Sequence, residues 1–178
     1  MPRLLPLLFV LAAGCGGSRA ASFDGATFKD GPVAFQIGAV PSTWKRLDLS
    51  DASLAFRDDP HAATVLLNAR CRRTEGDVPL VALTNHLLMG STERDVKSQE
   101  AEPFDHREAL HTKVRAKWDG VPMALDIFVL RKDGCVYDFV YTAPIDSFEA
   151  GTADFEAFVR GFRTLPGSGV VKREGPPG

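Results

Sequence analysis

The sequence predicts an α+β domain, an antiparallel β-sheet sandwiched by helices. Four Asp-Gly pairs punctuate the chain, at Asp24-Gly25, Asp30-Gly31, Asp119-Gly120 and Asp133-Gly134. Asp-Gly suits a two-residue type I′ hairpin because both central residues need positive φ. The last two pairs separate three β-rich runs, 109–118, 121–132 and 135–143, which read as a three-stranded antiparallel meander. Near the end, Phe155, Phe158, Val159 and Phe162 fall at i, i+3, i+4 and i+7, the apolar stripe of a helix that packs on a sheet. Strands, helix, strands, helix is the order of an α+β sandwich.

Taken in order, residues 32–37, 53–57 and 63–72 read as strands, with Arg57-Asp58-Asp59-Pro60-His61 as the turn between the last two. Asp77 can cap a helix with Pro79 in its first turn. That helix repeats Leu80, Leu83 and Leu87 with Val81 and Leu88, and stops at Gly90. Residues 95–103 read as an edge strand, although Pro103 weighs against it. The final helix is expected from near Thr152. Asp154 and Glu156 then lie near its start, with Arg160 and Arg163 near its end, as the helix dipole favours.

Two-residue loops fix the register of the meander. Trp118 then faces Val121, Val114 faces Leu125, and Ile127 lies between Thr112 and Val140. One face carries Leu110, Val114, Ala116, Trp118, Val121, Met123, Leu125, Ile127, Val129, Val136 and Val140. The other carries Phe128, Leu130, Tyr137, Phe139 and Tyr141, but on the first strand it presents His111, Lys113, Arg115 and Lys117. The two later strands are apolar on both faces and should be covered on both sides; the first should be wet on one. Asp126 falls opposite Lys113 and beside Tyr141, a cross-strand pair worth about 0.2–1 kcal/mol.

Arg3 precedes an apolar run from Leu4 to Ala13, interrupted by Pro6. That run is too short for a ~30 Å hydrocarbon core, which needs about 20 helical residues, and it matches a secretory signal. Its exit, Ala12-Ala13-Gly14-Cys15, resembles the bacterial lipobox, in which the peptide is cut before the Cys and the thiol is acylated. Leu is commoner where Ala12 stands. The resemblance implies a signal peptide over 1–14, lipidation of Cys15 and a flexible tether over 15–23. Several acyl chains, at about 0.8 kcal/mol per buried methylene, make a stable membrane anchor. Gly16 in place of Asp favours the outer membrane, facing the periplasm. Residues 166–178, PGSGVVKREGPPG, are too rich in Gly and Pro to pack and read as a disordered tail.

The span 24–165 is the size of one domain. Lys and Arg number 21 against 23 Asp and Glu, a net charge of −2, and loss of Arg3 with the signal makes it more negative. Such a chain is not expected to bind nucleic acid, which needs clustered cations. A 44% hydrophobic content with 12 Phe supplies a real core.

The order of elements, Pro41-Ser42-Thr43-Trp44 after an early strand, and the closing VYDFVYTAPIDSFEAGTADFEAFVRGF are similar to the PsbP-like (Mog/PsbP) superfamily. That group includes a photosystem extrinsic subunit, a Ran-binding import factor and bacterial lipoproteins. The resemblance spans about residues 24–165. It implies a non-catalytic accessory or binding module and carries over no functional residues.

Candidate chemistry is sparse. Cys71 and Cys135 close one strand and open another. In a periplasm they suggest a disulfide if the strands are antiparallel neighbours, and two buried thiols otherwise. His61, His86, His106 and His111 make no metal-ligand pattern, and no nucleophile elbow, phosphate loop or dinucleotide fingerprint is present. No metal, cofactor or enzymatic activity is expected. The stripe His111, Lys113, Arg115, Lys117 reads either as a solvated edge-strand face or as a docking surface for an acidic partner or lipid headgroups. The expected function is a lipid-anchored accessory interaction module of an envelope complex, with a protein partner. The alternative is a small-ligand or lipid-binding domain with a pocket between sheet and helix.

Overall fold

In the computed structural model, which describes residues 21–71 and 78–169, the chain runs β1 (Ser22–Phe23), β2 (Thr27–Asp30), β3 (Val33–Gln36), β4 (Trp44–Leu47), β5 (Leu54–Asp58), β6 (Ala63–Cys71), α1 (Leu80–Leu87), β7 (Thr92–Phe104), β8 (Arg107–Trp118), β9 (Val121–Lys132), β10 (Cys135–Pro144), α2 (Ile145–Arg160) and β11 (Arg163–Thr164). All pairings are antiparallel. The strands form two sheets rather than the single one expected: a small β1-β2-β3-β11 and a large β4-β5-β6-β10-β9-β8-β7. Of the small sheet only β3 is placed by the sequence, as 32–37; β1, β2 and β11, two to four residues long, escape the sequence reading.

The meander has the anticipated register. Trp118 pairs with Val121, Val114 with Leu125, and Ile127 with both Thr112 and Val140. At the turns Asp119 and Gly120 have φ of 50° and 80°, and Asp133 and Gly134 of 53° and 75°, as a type I′ loop requires. The β2–β3 turn is instead one residue later than the Asp-Gly pair, at Gly31-Pro32. The strand expected from residue 32 therefore starts at Val33, since Pro32 has no N–H to give a ladder. The 95–103 strand is longer than expected and fills an edge of the large sheet, where Pro103 is tolerated. Of the large sheet's neighbours, only β6 and β10 are not consecutive in the chain. It is therefore two meanders, β4–β6 and β7–β10, joined along one seam.

Asp77 lies outside the described residues. The residue capping α1 is Pro79, with no side-chain cap. The last helix starts at Ile145, a full two turns before the expected Thr152. Gly151 sits inside α2, where it serves close packing. A Cβ there would come within 2.1 Å of the Tyr141 hydroxyl. Asp146, not Asp154, is the acid in the first turn, and Arg163 belongs to β11. The helix leaves through a second close approach: Gly38 donates its N–H to the Phe158 carbonyl at 2.9 Å. A Cβ on Gly161 would meet Gly38 Cα at 2.2 Å.

Two apolar cores result. On one face of the large sheet, α2 and the small sheet enclose Phe35, Trp44, Phe56, Tyr137, Phe139, Tyr141, Phe155, Phe158 and Phe162. On the other face α1 lies chiefly over β8 and β9, and the core there buries Leu88, Val114, Leu125, Ile127, Val129 and, from β10, Val136. Of the tail expected over 166–178, residues 166–169 are described. They turn back so that Gly169 donates its N–H to the Pro32 carbonyl at 2.7 Å.

Candidate functional site

Cys15 and the proposed signal lie outside the described residues. Cys71 and Cys135 face each other directly across the β6/β10 seam and are joined by a disulfide, with an S–S distance of 2.02 Å. The bond therefore staples the one seam that chain connectivity does not close.

The stripe on β8 occupies an inner strand, because β7 pairs along its outer side. His111 stacks on Phe128 with ring centroids 3.9 Å apart, and its Nε2 lies 2.6 Å from Asp126 Oδ1. Lys113 Nζ is 3.6 Å from the other oxygen of the same carboxylate, opposite it in the ladder as expected. Lys117 pairs with Glu93 at 2.7 Å. Arg115 is exposed. Three of the four side chains thus meet acids of the domain itself, which leaves the stripe little excess charge for an acidic partner.

The remaining histidines are scattered. His86 and His106 are exposed, in α1 and in the β7–β8 turn. His61 Nδ1 lies 2.6 Å from Asp58, whose side chain is 1% exposed. Above this pair sits Tyr141. Burial first, then the Asp58 and Asp154 charges, push its phenol up to about 12. Tyr137 is likewise raised to about 12, by burial and then by Asp133. Both phenols therefore stay neutral and serve packing. Among the described residues no three His, Cys, Asp or Glu side chains gather as metal ligands.

The feature that sequence reasoning missed is on the α1 side. β6 alternates strictly there: Ala63, Val65 and Leu67 are buried toward α2, whereas Thr64, Leu66, Asn68 and Arg70 on the other face are half-buried. Val140 and Thr142 of β10 are half-buried too. The expectation that the two apolar strands are covered on both sides holds for most of β9 and fails for this part of β10. The eight residues of α1 make a helix only about 12 Å long, which stops short of the seam. Beside it opens a hollow of about 440 Å³, lined by Leu66, Leu87, Trp118, Met123, Leu125 and Val140. Its polar lining is Asn68, Asp138 and Thr142. Asp138 accepts a hydrogen bond from Arg70 at 2.8 Å, so its charge is balanced within the protein.

No protein-family model matches the chain, and no curated protein sequence does. Solved structures are similar. The cyanobacterial PsbP protein CyanoP from Synechocystis sp. PCC 6803 is 12% identical, with a TM-score of 0.56 over 88% of this chain and 98% of that one. LpqN, involved in cell envelope biogenesis of Mycobacterium tuberculosis, is 16% identical, with a TM-score of 0.55 over 83% of this chain and 90% of that one. A Bacteroides thetaiotaomicron protein is 12% identical with a TM-score of 0.55, over 80% of this chain and 49% of that one. At these identities the likeness is one of fold, and the fold is PsbP-like.

Proposed function

We propose that this chain is an exported accessory module of the bacterial cell envelope, held by lipid on Cys15 to the outer membrane, and that it works by contact rather than by chemistry. Its working face is the α1 side. The observation that carries this is the placement of exposed apolar residues. Of the large apolar side chains exposed among the described residues, all but Leu49 lie on or beside α1 or on the sheet face it covers. Val78 and Val81 stand at its start and Met89 just past its end. Val96 is opposite Val114 on that face, and Val121 is at the hairpin tip beside the hollow. Apolar groups concentrated on one side of a domain mark an interaction surface, whereas singly scattered ones do not. The lipobox-like exit at Cys15 favours the envelope, as does the fold shared with a protein of envelope biogenesis.

Photo-crosslinking residues at Val81 and Met89, with Lys29 on the small sheet as control, test this in intact cells. Adducts to a defined envelope protein are expected from the first two positions and not from Lys29. They should vanish in Cys15→Ser, which also loses acyl labelling. Equal adducts from all three positions, or adducts that survive release from the membrane, would overturn the proposal.

A further inference from the structure

We infer that the hollow beside α1 is a binding site for a small uncharged amphiphile, a single alkyl chain carrying a hydroxyl- or amide-type head. The inference rests on the α1 side being the working face, and it assigns the hollow rather than the rim around it. Its volume of about 440 Å³ falls within the roughly 300–1,000 Å³ of small-molecule sites. Its polar groups are an end pair across the seam and a single hydroxyl on the floor, Thr142, which lies between Val140 and Pro144 opposite Leu125. Asn68 and Asp138, opposite each other across the seam, form one end. Leu66 faces Val140 in the middle, and Met123, level with Pro144, lies beside Trp118 and Val121 at the other end. From Asp138 to Pro144 the floor runs about 20 Å at the rise of a β-strand, which is the proportion of a chain and not of a compact ring.

The charge of the hollow selects the head group. Its one acid, Asp138, is already matched by Arg70, so what the walls offer a ligand are the amide of Asn68 and the hydroxyl of Thr142, neutral donors and acceptors. An ionised head would have to give up water at the polar end without meeting an opposite charge of its own.

The test uses the whole oxidised chain carrying Cys15→Ser and monolauroylglycerol below its micelle concentration. Native mass spectra should show a one-to-one complex. The emission of Trp118 should shift saturably to the blue, and Trp118→Phe should remove that shift. Thr142→Phe, which fills the floor, should weaken binding at least tenfold, and Val121→Glu at the exposed tip is the second variant if that one folds poorly. Shortening the chain by two methylenes should cost about another tenfold. Absence of saturable binding, indifference to both variants, or equal affinity for the laurate anion would overturn the assignment. If crosslinks from Val81 and Met89 persist while the amphiphile fails to bind, the docking face stands and only the hollow's ligand is refuted.

Discussion

At the scale of single residues, the polar pairs of the interior divide into those the sequence exposes and those it hides. Lys113 opposite Asp126 follows from counting along two Asp-Gly hairpins, and the ion pair is there at 3.6 Å. Asp105 could not be counted to in that way. It begins the β7–β8 turn with His106, and both residues have positive φ, 42° and 61°. Asp tolerates such a conformation, but without a following glycine Asp105-His106 marks the turn far less clearly than the Asp-Gly pairs do. Once formed, the turn aims the Asp105 carboxylate inward, where it accepts from Lys132 Nζ at 2.7 Å and from the Thr164 N–H at 2.9 Å. The two charged side chains are 2% and 13% exposed. Burial pushes the Asp105 carboxyl up, but the Lys132 and Thr164 hydrogen bonds outweigh it and hold the carboxyl below its ordinary value. A carboxyl depressed in the folded state stabilises the fold above its unfolded pKa, near about 3.9, and that contribution is lost as pH falls through the lower folded value. Lys132→Met should therefore cost about 3–5 kcal/mol near neutrality by stranding a buried charge. Asp105→Asn should flatten the loss of stability below about pH 4. Chemical denaturation across pH measures both; unchanged midpoints would show that the pair does not hold the turn.

At the scale of elements, strands with a strong alternating pattern and marked turns were legible, including the register across the two Asp-Gly hairpins that join β8, β9 and β10. The misread elements share a cause. Gly151 and Pro144 look like breaks in sequence, but Gly151 is where α2 rests on Tyr141 and Pro144 is the N-cap residue. Local propensity could not distinguish a glycine that ends a helix from one that lets it approach a sheet. The hollow was illegible for a related reason. Periodicity says which faces want cover, and it does not say whether an eight-residue helix reaches far enough to supply it. The disulfide belongs to this scale because it ties two elements 64 residues apart. Loop-closure entropy for that separation predicts that replacing both cysteines by serine destabilises the domain by about 4 kcal/mol. Equilibrium unfolding of Cys71→Ser/Cys135→Ser against the oxidised protein checks this, and a difference under about 1 kcal/mol would show that the cross-link does not constrain the unfolded chain as that entropy model requires.

At the scale of the whole molecule, the α+β class and a core on each face of the sheet were legible, while the division into two sheets was not. The large sheet is assembled from two meanders of near neighbours, with β6 against β10 as its only distant joint. That arrangement implies an order in time. Contacts between chain neighbours close at little entropic cost and long-range ones close late, so each meander can form before the seam does. Pulse-labelled exchange during refolding should protect the amides that bond β8 to β9 before those that bond β6 to β10, and simultaneous protection of the two sets would refute a late seam. Until β10 emerges and finds β6, the first half of the domain has no partner for its last strand. A chain delayed at that stage carries two half-sheets, each with its seam edge open, β6 on one and β10 on the other, and an open edge is what invites pairing with another chain.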